Sequence, residues 1–410
     1  MSRLNNNEKE NKELKYSLWA IFVGLISGII LLFATGQSVA DFFYALYLSN
    51  FSSWRDFGAL ISMMTWIILM GLAFLVSFRA GIFNIGAVGQ FVGAGIVTFI
   101  FISVVPITGR WAIILTIIIP VITGMSIAYF IAFLKNTFKV NEVLSSIFIN
   151  LIIYWIYKWL TNPAIHPNYA TNSGSTLIPG NYSLQLFGLG AAFNITIFFA
   201  IFALITMFLM YRFTTWGYKQ DLLASDNKTA TYVGLNYKKE FSNTFVLSGG
   251  LAGLAGASYY FGFHQNLPAI GTELSIDPWV GLTAALIAFN NPLGLLFSGL
   301  FIAIIQNSRD VFELLGNTAY MIDIIMAVFI FIFAISNAML LYDPHEKLME
   351  WFKSDDLGGS QNFESNLYPE NKKIKSQSFV SKNLDYFRRN HTIYYVRYKE
   401  LKNKRKKGDK

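Results

Sequence analysis

The chain has 410 residues, of which 54% are apolar and only 14% are charged, and its formal net charge is +8. Soluble domains are about 25% charged, so this composition argues against a soluble globular protein and against a disordered chain. The absence of cysteine excludes disulfide bonds, thiolate metal sites and a cysteine nucleophile. The sequence has no H-E-x-x-H pair and no G-x-x-x-x-G-K-[ST] motif. We therefore predict a non-enzymatic chain with no catalytic and no metal-binding residues.

Charged residues separate long neutral segments along the chain. A helix needs about 20 apolar residues to cross the hydrocarbon core of a bilayer, and most of these segments approach or exceed that length. They predict an all-α polytopic membrane protein with about ten transmembrane helices. The first segment lacks a small-residue cleavage signature, so we interpret it as an anchor and not as a signal peptide. The predicted spans are 16–35, 57–78, 84–105, 111–134, 143–161, 190–211, 241–263, 277–290, 293–307 and 319–341.

The eighth and ninth spans are short because one neutral segment is interrupted at Asn290-Asn291-Pro292. Proline has no backbone N–H to donate to a helix. The interruption predicts two half-length helices or a tight hairpin near the cytoplasmic face. Half-helices that meet around polar residues are a common way to build a binding site or a gate in a membrane.

The orientation follows from the Lys and Arg residues, which concentrate in cytoplasmic loops. With the N-terminus inside, the inner segments before residue 354 hold 14 of these residues and the outer loops hold four. Both termini are therefore predicted to be cytoplasmic. The other 14 lie in the C-terminal tail, so the positive charge indicates contact with anionic membrane lipid and we predict no nucleic-acid partner.

These features divide the chain into a cytoplasmic N-terminus at 1–15, a transmembrane domain at 16–341 and a basic cytoplasmic tail at 342–410. Apolar residues between Val380 and Leu401 recur near helical spacing. This pattern predicts an amphipathic helix that lies on lipid or on a partner. A partly disordered, solvated tail is the alternative.

A cluster of amides and glycines opens the third span. Asn84 and Gln90 lie in a neutral run at 80–109, which is longer than one crossing needs. Part of this run is interpreted as a broken or re-entrant helix, which is tolerated only against protein or a water-filled cavity. Tight helix packing through Gly89 and Gly93 is a compatible interpretation.

A second polar motif opens the fifth span with Asn141-Glu142-Val143 and continues to Asn150. An isolated asparagine in lipid is costly unless it is paired, so Asn150 is expected to face protein or a solute pathway. The helix dipole favours an acid in the first turn, which accounts for Glu142 without a functional role.

The inner loop 211–240 is the one inner loop large enough to dock a soluble partner, and it contains a short helix predicted over 224–234. The span that follows carries small residues four apart at Gly249, Gly253 and Ala257. Such spacing lets a neighbouring helix approach closely.

Taken together, these segments resemble the inner-membrane permease of an ATP-binding-cassette (ABC) importer, in the class of branched-chain amino acid and ribose permeases. The resemblance is greatest to the nucleoside and simple-sugar subgroup, which pairs with lipoproteins of the basic-membrane-protein type, and it covers 16–341. Two departures are Val88, where the family usually has an acid, and Leu222-Leu223-Ala224-Ser225, where it usually has arginine-alanine-valine-glycine. The similar motifs are Asn84-Ile85-Gly86-Ala87-x-Gly89-Gln90, Asn141-Glu142-Val143 with Asn150, Ser248–Ala257 and Asn291-Pro292-Leu293-Gly294.

The resemblance implies a transport subunit that binds no cofactor itself and relies on a cytoplasmic ABC ATPase to hydrolyse ATP. It also implies an extracellular substrate-binding lipoprotein and a second permease, either a related chain, which the subgroup favours, or another copy of this one. The coupling helix is expected within 222–236 of the loop 211–240. The implied coupling residues are Ala224, Asp226, Lys228, Tyr232 and Gly234.

A neutral polar pathway suits an uncharged, hydroxyl-rich solute such as a nucleoside or a simple sugar. The alternatives are a ribose-like or branched-chain amino acid permease, an ion-coupled secondary transporter that works alone, and a membrane-embedded lipid-modifying enzyme. Asp323, near the outer end of the last span, is a further functional candidate that is shallow enough to be solvated. The predicted pathway residues are Asn84, Gln90, Asn150, Asn290 and Asn291.

Overall fold

The structure is a computed structural model that describes residues 22–105, 107, 109–162, 164–165, 176–178, 182–186, 193–225, 234–268 and 277–342. Within these ranges the chain is mostly helical, as predicted, and two short strands pair antiparallel. The predicted cytoplasmic N-terminus and the basic tail with its amphipathic helix lie outside the described residues, apart from Tyr342. The division into three regions therefore stays a prediction.

The elements follow one another from α1 to α13. They are α1 (Phe22–Ala34), α2 (Val39–Phe51), α3 (Trp54–Arg79), α4 (Ala87–Val104), α5 (Arg110–Phe138), α6 (Glu142–Leu160), β1 (Thr176–Leu177), α7 (Thr196–Phe213), α8 (Thr215–Ser225), α9 (Tyr237–Ala257), a π-helical turn (Ser258–Phe263), β2 (Asn266–Leu267), α10 (Asp277–Ile287), α11 (Gly294–Asn307), α12 (Arg309–Leu314) and α13 (Tyr320–Tyr342).

Six helical segments of the described chain are long and apolar enough to cross a membrane, namely α3, α4, α5, α6, α7 and the segment formed by α11 and α12. Shorter apolar segments lie in α1 and α13. Helix α9 is less apolar because it begins with Lys238, Lys239 and Glu240 and is rich in glycine. The total of ten spans and the cytoplasmic position of both termini stay predictions.

Helix α3 lies at the centre of the described fold. All 13 residues from Thr65 to Ser77 are buried, as expected for a helix that is apolar on every side and surrounded by protein. It packs against α4, α7, α9, α10 and α11. Helices α5, α6 and α7 instead expose large apolar side chains such as Ile122, Trp155 and Phe202, which is typical of a surface that faces lipid.

The segment between α3 and α4 is irregular only over residues 80–86, and α4 is unbroken from Ala87 to Val104. A positive φ of 69° at Gly81 turns the chain there. This irregular backbone contains the fully buried Asn84, so it packs against protein, where non-helical backbone is tolerated inside a membrane.

Helices α5 and α9 approach each other closely through their glycines. Gly249 lies against Gly124 and Ala128, and Gly253 lies against the backbone of Pro120 and Val121. A Cβ at Gly253 would overlap the Pro120 carbonyl oxygen, whereas a Cβ at Gly250 would lie 3.0 Å from the flexible Met125 side chain. The small residues of α9 therefore determine how near the two helices lie.

Helices α10 and α11 form a tight hairpin, one of the two arrangements predicted for the interruption at Asn290-Asn291-Pro292. Phe289 and Asn290 both adopt positive φ, at 50° and 55°, which reverses the chain. The Ser298 hydroxyl then donates a 2.8 Å hydrogen bond to the Ala284 carbonyl across the hairpin.

We expect Gly253→Ala to destabilise the protein by about 1–3 kcal/mol, the usual cost of overpacking a close contact, because the new methyl group meets backbone that cannot move aside. The midpoint of thermal unfolding of the detergent-purified protein measures the effect. Gly250→Ala on the same helix is the matched control and should have a much smaller effect. Equal midpoints for the two variants would contradict the proposed close contact.

Candidate functional site

A cluster of buried amides lies between α3, α4 and α9. The Asn84 side-chain amide donates hydrogen bonds to Gln90 Oε1 at 3.1 Å and to the Ser248 hydroxyl at 2.9 Å. Ser248 in turn donates to the Ala73 carbonyl at 2.7 Å. Asn84, Gln90 and Ser248 have no solvent exposure. We call these three residues the amide cluster.

Asn150 joins α6 to the start of α4. Its side-chain amide donates to the Ile85 carbonyl at 3.1 Å, and its side-chain oxygen accepts from the Gly89 backbone N–H at 3.0 Å. Gly89 is required here because a Cβ would overlap Asn150 Oδ1. Gly93, one turn further, lies near Ile127 and Ile153. Both glycines of the predicted packing motif thus face neighbouring helices.

The other two predicted pathway residues lie in the α10–α11 hairpin and form no hydrogen bond to the amide cluster in the described structure. Asn291 is exposed, and its side-chain oxygen accepts a 3.0 Å bond from the Leu293 N–H. Asn290 Oδ1 is buried without a hydrogen-bond partner among the described residues. The five predicted residues therefore occupy two places, and their contact with a solute stays a prediction.

Helix α8 docks within the predicted coupling loop, against the start of α9. Lys219 Nζ lies 2.7 Å from Glu240 Oε1, and the Thr244 hydroxyl donates a 2.7 Å bond to Gln220 Oε1. Gln220 and Thr244 have no solvent exposure. Gln220 Nε2 is buried without a partner among the described residues. The polar groups at this contact between α8 and α9, which we call the α8–α9 joint, are therefore only partly hydrogen-bonded.

Glu240, Thr244 and Ser248 are spaced four residues apart on α9, so they share one face of that helix. We call them the polar stripe. The first two contact α8, and Ser248 belongs to the amide cluster, where it accepts a hydrogen bond from Asn84. The polar stripe thus connects the loop 211–240 to the buried amides through about two helical turns.

Arg79, at the end of α3, provides a further contact to α8. Its Nε atom lies 3.2 Å from Asp221 Oδ1, and its guanidinium carbon lies 4.1 Å from the centre of the Tyr211 ring. The sequence interpretation did not single out Arg79, Lys219, Gln220 or Glu240. Two features of the sequence could have identified these residues. One is the presence of opposite charges at the two ends of the loop 211–240, and the other is the spacing of the polar stripe.

The leucines that depart from the family pattern fasten α8 to the membrane domain. Leu222 and Leu223 are buried, and Leu223 packs in a small apolar cluster with Ile82, Ile131 and Phe241. This segment of the predicted coupling helix is therefore held inside the fold. Val88, the other departure, is also buried in the core.

The structure describes two of the five predicted coupling residues, Ala224 and Gly234. Ala224 is exposed near the end of α8, and its Cα would lie 2.8 Å from a Cβ at Gly81. Gly234 has a positive φ of 82°, a conformation that favours glycine. Asp226, Lys228 and Tyr232, and most of the helix predicted over 224–234, lie outside the described residues.

Two acids considered in the sequence have ion-pair partners. Glu142 Oε1 lies 2.6 Å from Lys135 Nζ in the first turn of α6, which fits a charge near the helix N-terminus. Asp323 Oδ2 lies 3.1 Å from an Arg309 guanidinium nitrogen, so this pair connects α12 to α13.

The chain matches the family described as branched-chain amino acid transport system / permease component over residues 57–334. It is 27% identical to the nucleoside ABC transporter permease NupB of Lactococcus lactis over 353 residues, which cover 84% of this chain and 96% of NupB. It is 26% identical to the guanosine ABC transporter permease NupP of Bacillus subtilis, over 81% of this chain and 96% of NupP. It is 24% identical to the glucose ABC transporter permease TsgB13 of Haloferax volcanii, over 76% of this chain and 84% of that protein.

We expect Asn150→Leu to destabilise the protein by about 1–3 kcal/mol, the cost of leaving buried backbone groups unpaired, since the Gly89 N–H and the Ile85 carbonyl both lose their partner. Chemical denaturation in detergent measures the change. Asn291→Ala, which removes only an exposed turn contact, is the control. A loss for Asn150→Leu no larger than that of the control would contradict the structural role.

Proposed function

The chain belongs to the permease family of the branched-chain amino acid transport system, and from this premise we propose that it is the transmembrane subunit of an ATP-driven importer of nucleosides. The observation that carries the proposal is its similarity to NupB, a nucleoside ABC transporter permease, along 96% of that protein. NupP, a guanosine permease, matches over the same share of its length. The neutral amides of the interior suit an uncharged solute.

The free energy for uptake comes from a separate subunit. The sequence has no G-x-x-x-x-G-K-[ST] motif, which is the phosphate-binding loop of many ATPases. A cytoplasmic ABC ATPase hydrolyses ATP, and this chain binds no cofactor of its own. The loop 211–240 receives the ATPase, with residues of 222–236 as the coupling helix.

The polar stripe supplies a route for the movement. When the ATPase closes, it displaces α8, and the contacts of Lys219 and Gln220 pass this displacement to α9. Ser248 lies on the same helix and contacts Asn84, so the amide cluster moves with it. A shift of the cytoplasmic loop thereby moves the amide cluster at the centre of the membrane domain.

The remaining partners lie beside and outside the membrane domain. A substrate-binding lipoprotein delivers the solute at the extracellular side, and a second permease completes the channel. We favour a related chain as that second permease, which gives a heterodimer, and a second copy of this chain is the other arrangement. Membrane lipid covers the apolar faces of α5, α6 and α7, where large side chains are exposed.

A simple sugar is the second candidate solute. The specific observation in its favour is the similarity to TsgB13, a glucose ABC transporter permease, over 84% of that protein. Hydroxyl groups are common to a nucleoside and a sugar, so both fit a pathway lined by neutral amides.

Reconstitution in liposomes separates these functions. We expect radiolabelled guanosine to accumulate against a gradient only when the vesicles hold the permease, its ATPase, the lipoprotein and ATP. Accumulation of glucose in place of guanosine would support the sugar importer. Accumulation by this chain alone in response to an ion gradient would support a secondary transporter and contradict the proposal.

We expect Lys219→Glu to lower ATP-dependent uptake by about tenfold, equivalent to about 1.4 kcal/mol, because two carboxylates would then face each other at the α8–α9 joint. Adding Glu240→Lys should restore uptake, since the pair is re-formed with reversed charges. The same exchange at Lys135 and Glu142, which joins α5 to α6, is the matched control and should leave uptake nearly unchanged. Equal uptake by the single and double variants at Lys219 and Glu240 would exclude this joint from coupling.

A further inference from the structure

A second polar group of residues lies where the π-helical turn after α9 meets the start of α10. Tyr259 Oη donates a 2.5 Å hydrogen bond to Asp277 Oδ2. The Tyr259 ring lies against the His264 imidazole, with ring centres 4.5 Å apart. We call Tyr259, His264 and Asp277 the Tyr–His–Asp site. None of the sequence motifs assigned it a role.

The site is open at one end and enclosed at the other. His264 is exposed and Asp277 is half-buried, whereas Tyr259 is only 3% exposed. Phe91 and Tyr260, both buried, enclose the Tyr259 ring at centre distances of 5.2 and 4.9 Å. A carboxylate, an imidazole and a deep aromatic wall therefore meet between the protein surface and its core.

A buried donor lies at the enclosed end. The Trp66 ring is nearly perpendicular to the Tyr259 ring, with centres 5.2 Å apart, and Trp66 is 2% exposed. Its indole N–H has no hydrogen-bond partner among the described residues. Leaving a buried donor unpaired costs free energy, so the aromatic wall behind Tyr259 is not fully satisfied by its own contacts.

Contacts from neighbouring elements hold the site in place. The Leu184 N–H donates to the Phe261 carbonyl at 2.8 Å, and the Asn194 amide donates to the Ser258 carbonyl at 3.1 Å. Tyr157 Oη, on α6, donates to the Pro268 carbonyl at 2.7 Å. These bonds fix the backbone on both sides of His264, so the side chains are oriented before a ligand arrives.

We infer that the Tyr–His–Asp site binds a nucleoside on its way to the amide cluster, an inference that rests on the proposed function. A carboxylate is an acceptor with two oxygens, so Asp277 can accept hydrogen bonds from the adjacent 2′- and 3′-hydroxyls of a ribose. Imidazole rings stack on nucleobases, which assigns the base to the exposed His264 ring.

Kinetics of uptake by the complete importer in proteoliposomes test the site. We expect Asp277→Asn to raise the KM for guanosine by about ten- to a hundredfold, the effect of losing a charge-assisted hydrogen bond. Uptake of 2′,3′-dideoxyguanosine, which lacks the 2′- and 3′-hydroxyls but keeps the 5′-hydroxyl, should change little in the same variant. His264→Ala should raise the KM for both compounds, because it removes a contact to the base.

Asp56→Asn is the matched control. Asp56 is also an acid in the first turn of a helix, where it accepts hydrogen bonds from Ser52 and Ser53. The guanosine KM of the Asp56→Asn variant should equal that of the unmodified protein. The inference would be overturned by two results together. The guanosine KM of Asp277→Asn would match that of the Asp56→Asn control, and the variant would still prefer guanosine over dideoxyguanosine.

Photolabelling of the complete importer with a photoreactive azido derivative of guanosine separates this inference from the proposed function. We expect the label within 259–268 or 277–279, and excess guanosine should prevent labelling. Labelling elsewhere, or labelling that guanosine does not prevent, would overturn the site even if uptake is normal. If the importer takes up no guanosine, the proposed function fails, while a protected label in these two ranges still supports a nucleoside site.

Discussion

The hydrocarbon interior of a bilayer offers no water, so each polar group placed there needs a partner within the protein. This constraint governs the centre of the fold. Asn84, Gln90 and Ser248 satisfy one another, and Asn150 pairs with the backbone at the start of α4. The irregular turn at 80–86 can lie inside the membrane domain because these amides and the neighbouring helices surround it.

The same constraint makes the interior of the protein suitable for controlled movement. Apolar contacts of α3 resist separation from its neighbours, but polar pairs can exchange partners when a helix shifts. The Gln220 amide is buried and only partly satisfied, so its nitrogen remains available for a new hydrogen bond if α8 moves. In our proposal, this property suits the α8–α9 joint to transmit movement.

The amide cluster and the Tyr–His–Asp site differ in their chemistry. Neutral amides offer weak, replaceable hydrogen bonds, which suit passage of a solute without tight retention. An aromatic wall with a carboxylate and an imidazole is more selective, since it recognises a ring and hydroxyl groups together. In our proposal, the Tyr–His–Asp site therefore selects the solute before the solute passes the amide cluster.

The close packing of α5 and α9 determines the space available to the amide cluster and to the Tyr–His–Asp site. Gly249 and Gly253 allow backbone contact with Gly124 and Pro120, so α9 lies deep enough for its polar stripe to reach the amide cluster. The π-helical turn continues the same helix and brings Tyr259 to Asp277. One helix and the turn that continues it thus contribute to the α8–α9 joint, to the buried amides and to the Tyr–His–Asp site.

The sequence alone determined those features that depend on local composition. Long neutral runs indicated the six helical segments that are long and apolar enough to cross a membrane, the break at Asn290-Asn291-Pro292 indicated either two half-length helices or a hairpin, and small residues four apart indicated a close helix contact. These follow from hydrophobicity, a missing proline N–H and side-chain volume, which need no knowledge of distant residues. The four motifs were also enough to indicate the family.

Only the tertiary structure decided which distant side chains meet. Lys219 and Glu240 are 21 positions apart, Asn84 and Ser248 are 164 apart, and each pairing depends on how whole helices pack. The predicted pathway amides consequently separated into two places, and Tyr259 met Asp277 although neither belonged to a recognised pair. Hydrophobic patterning is periodic along the chain, but polar contacts between helices depend on their depth and rotation, which helix packing determines.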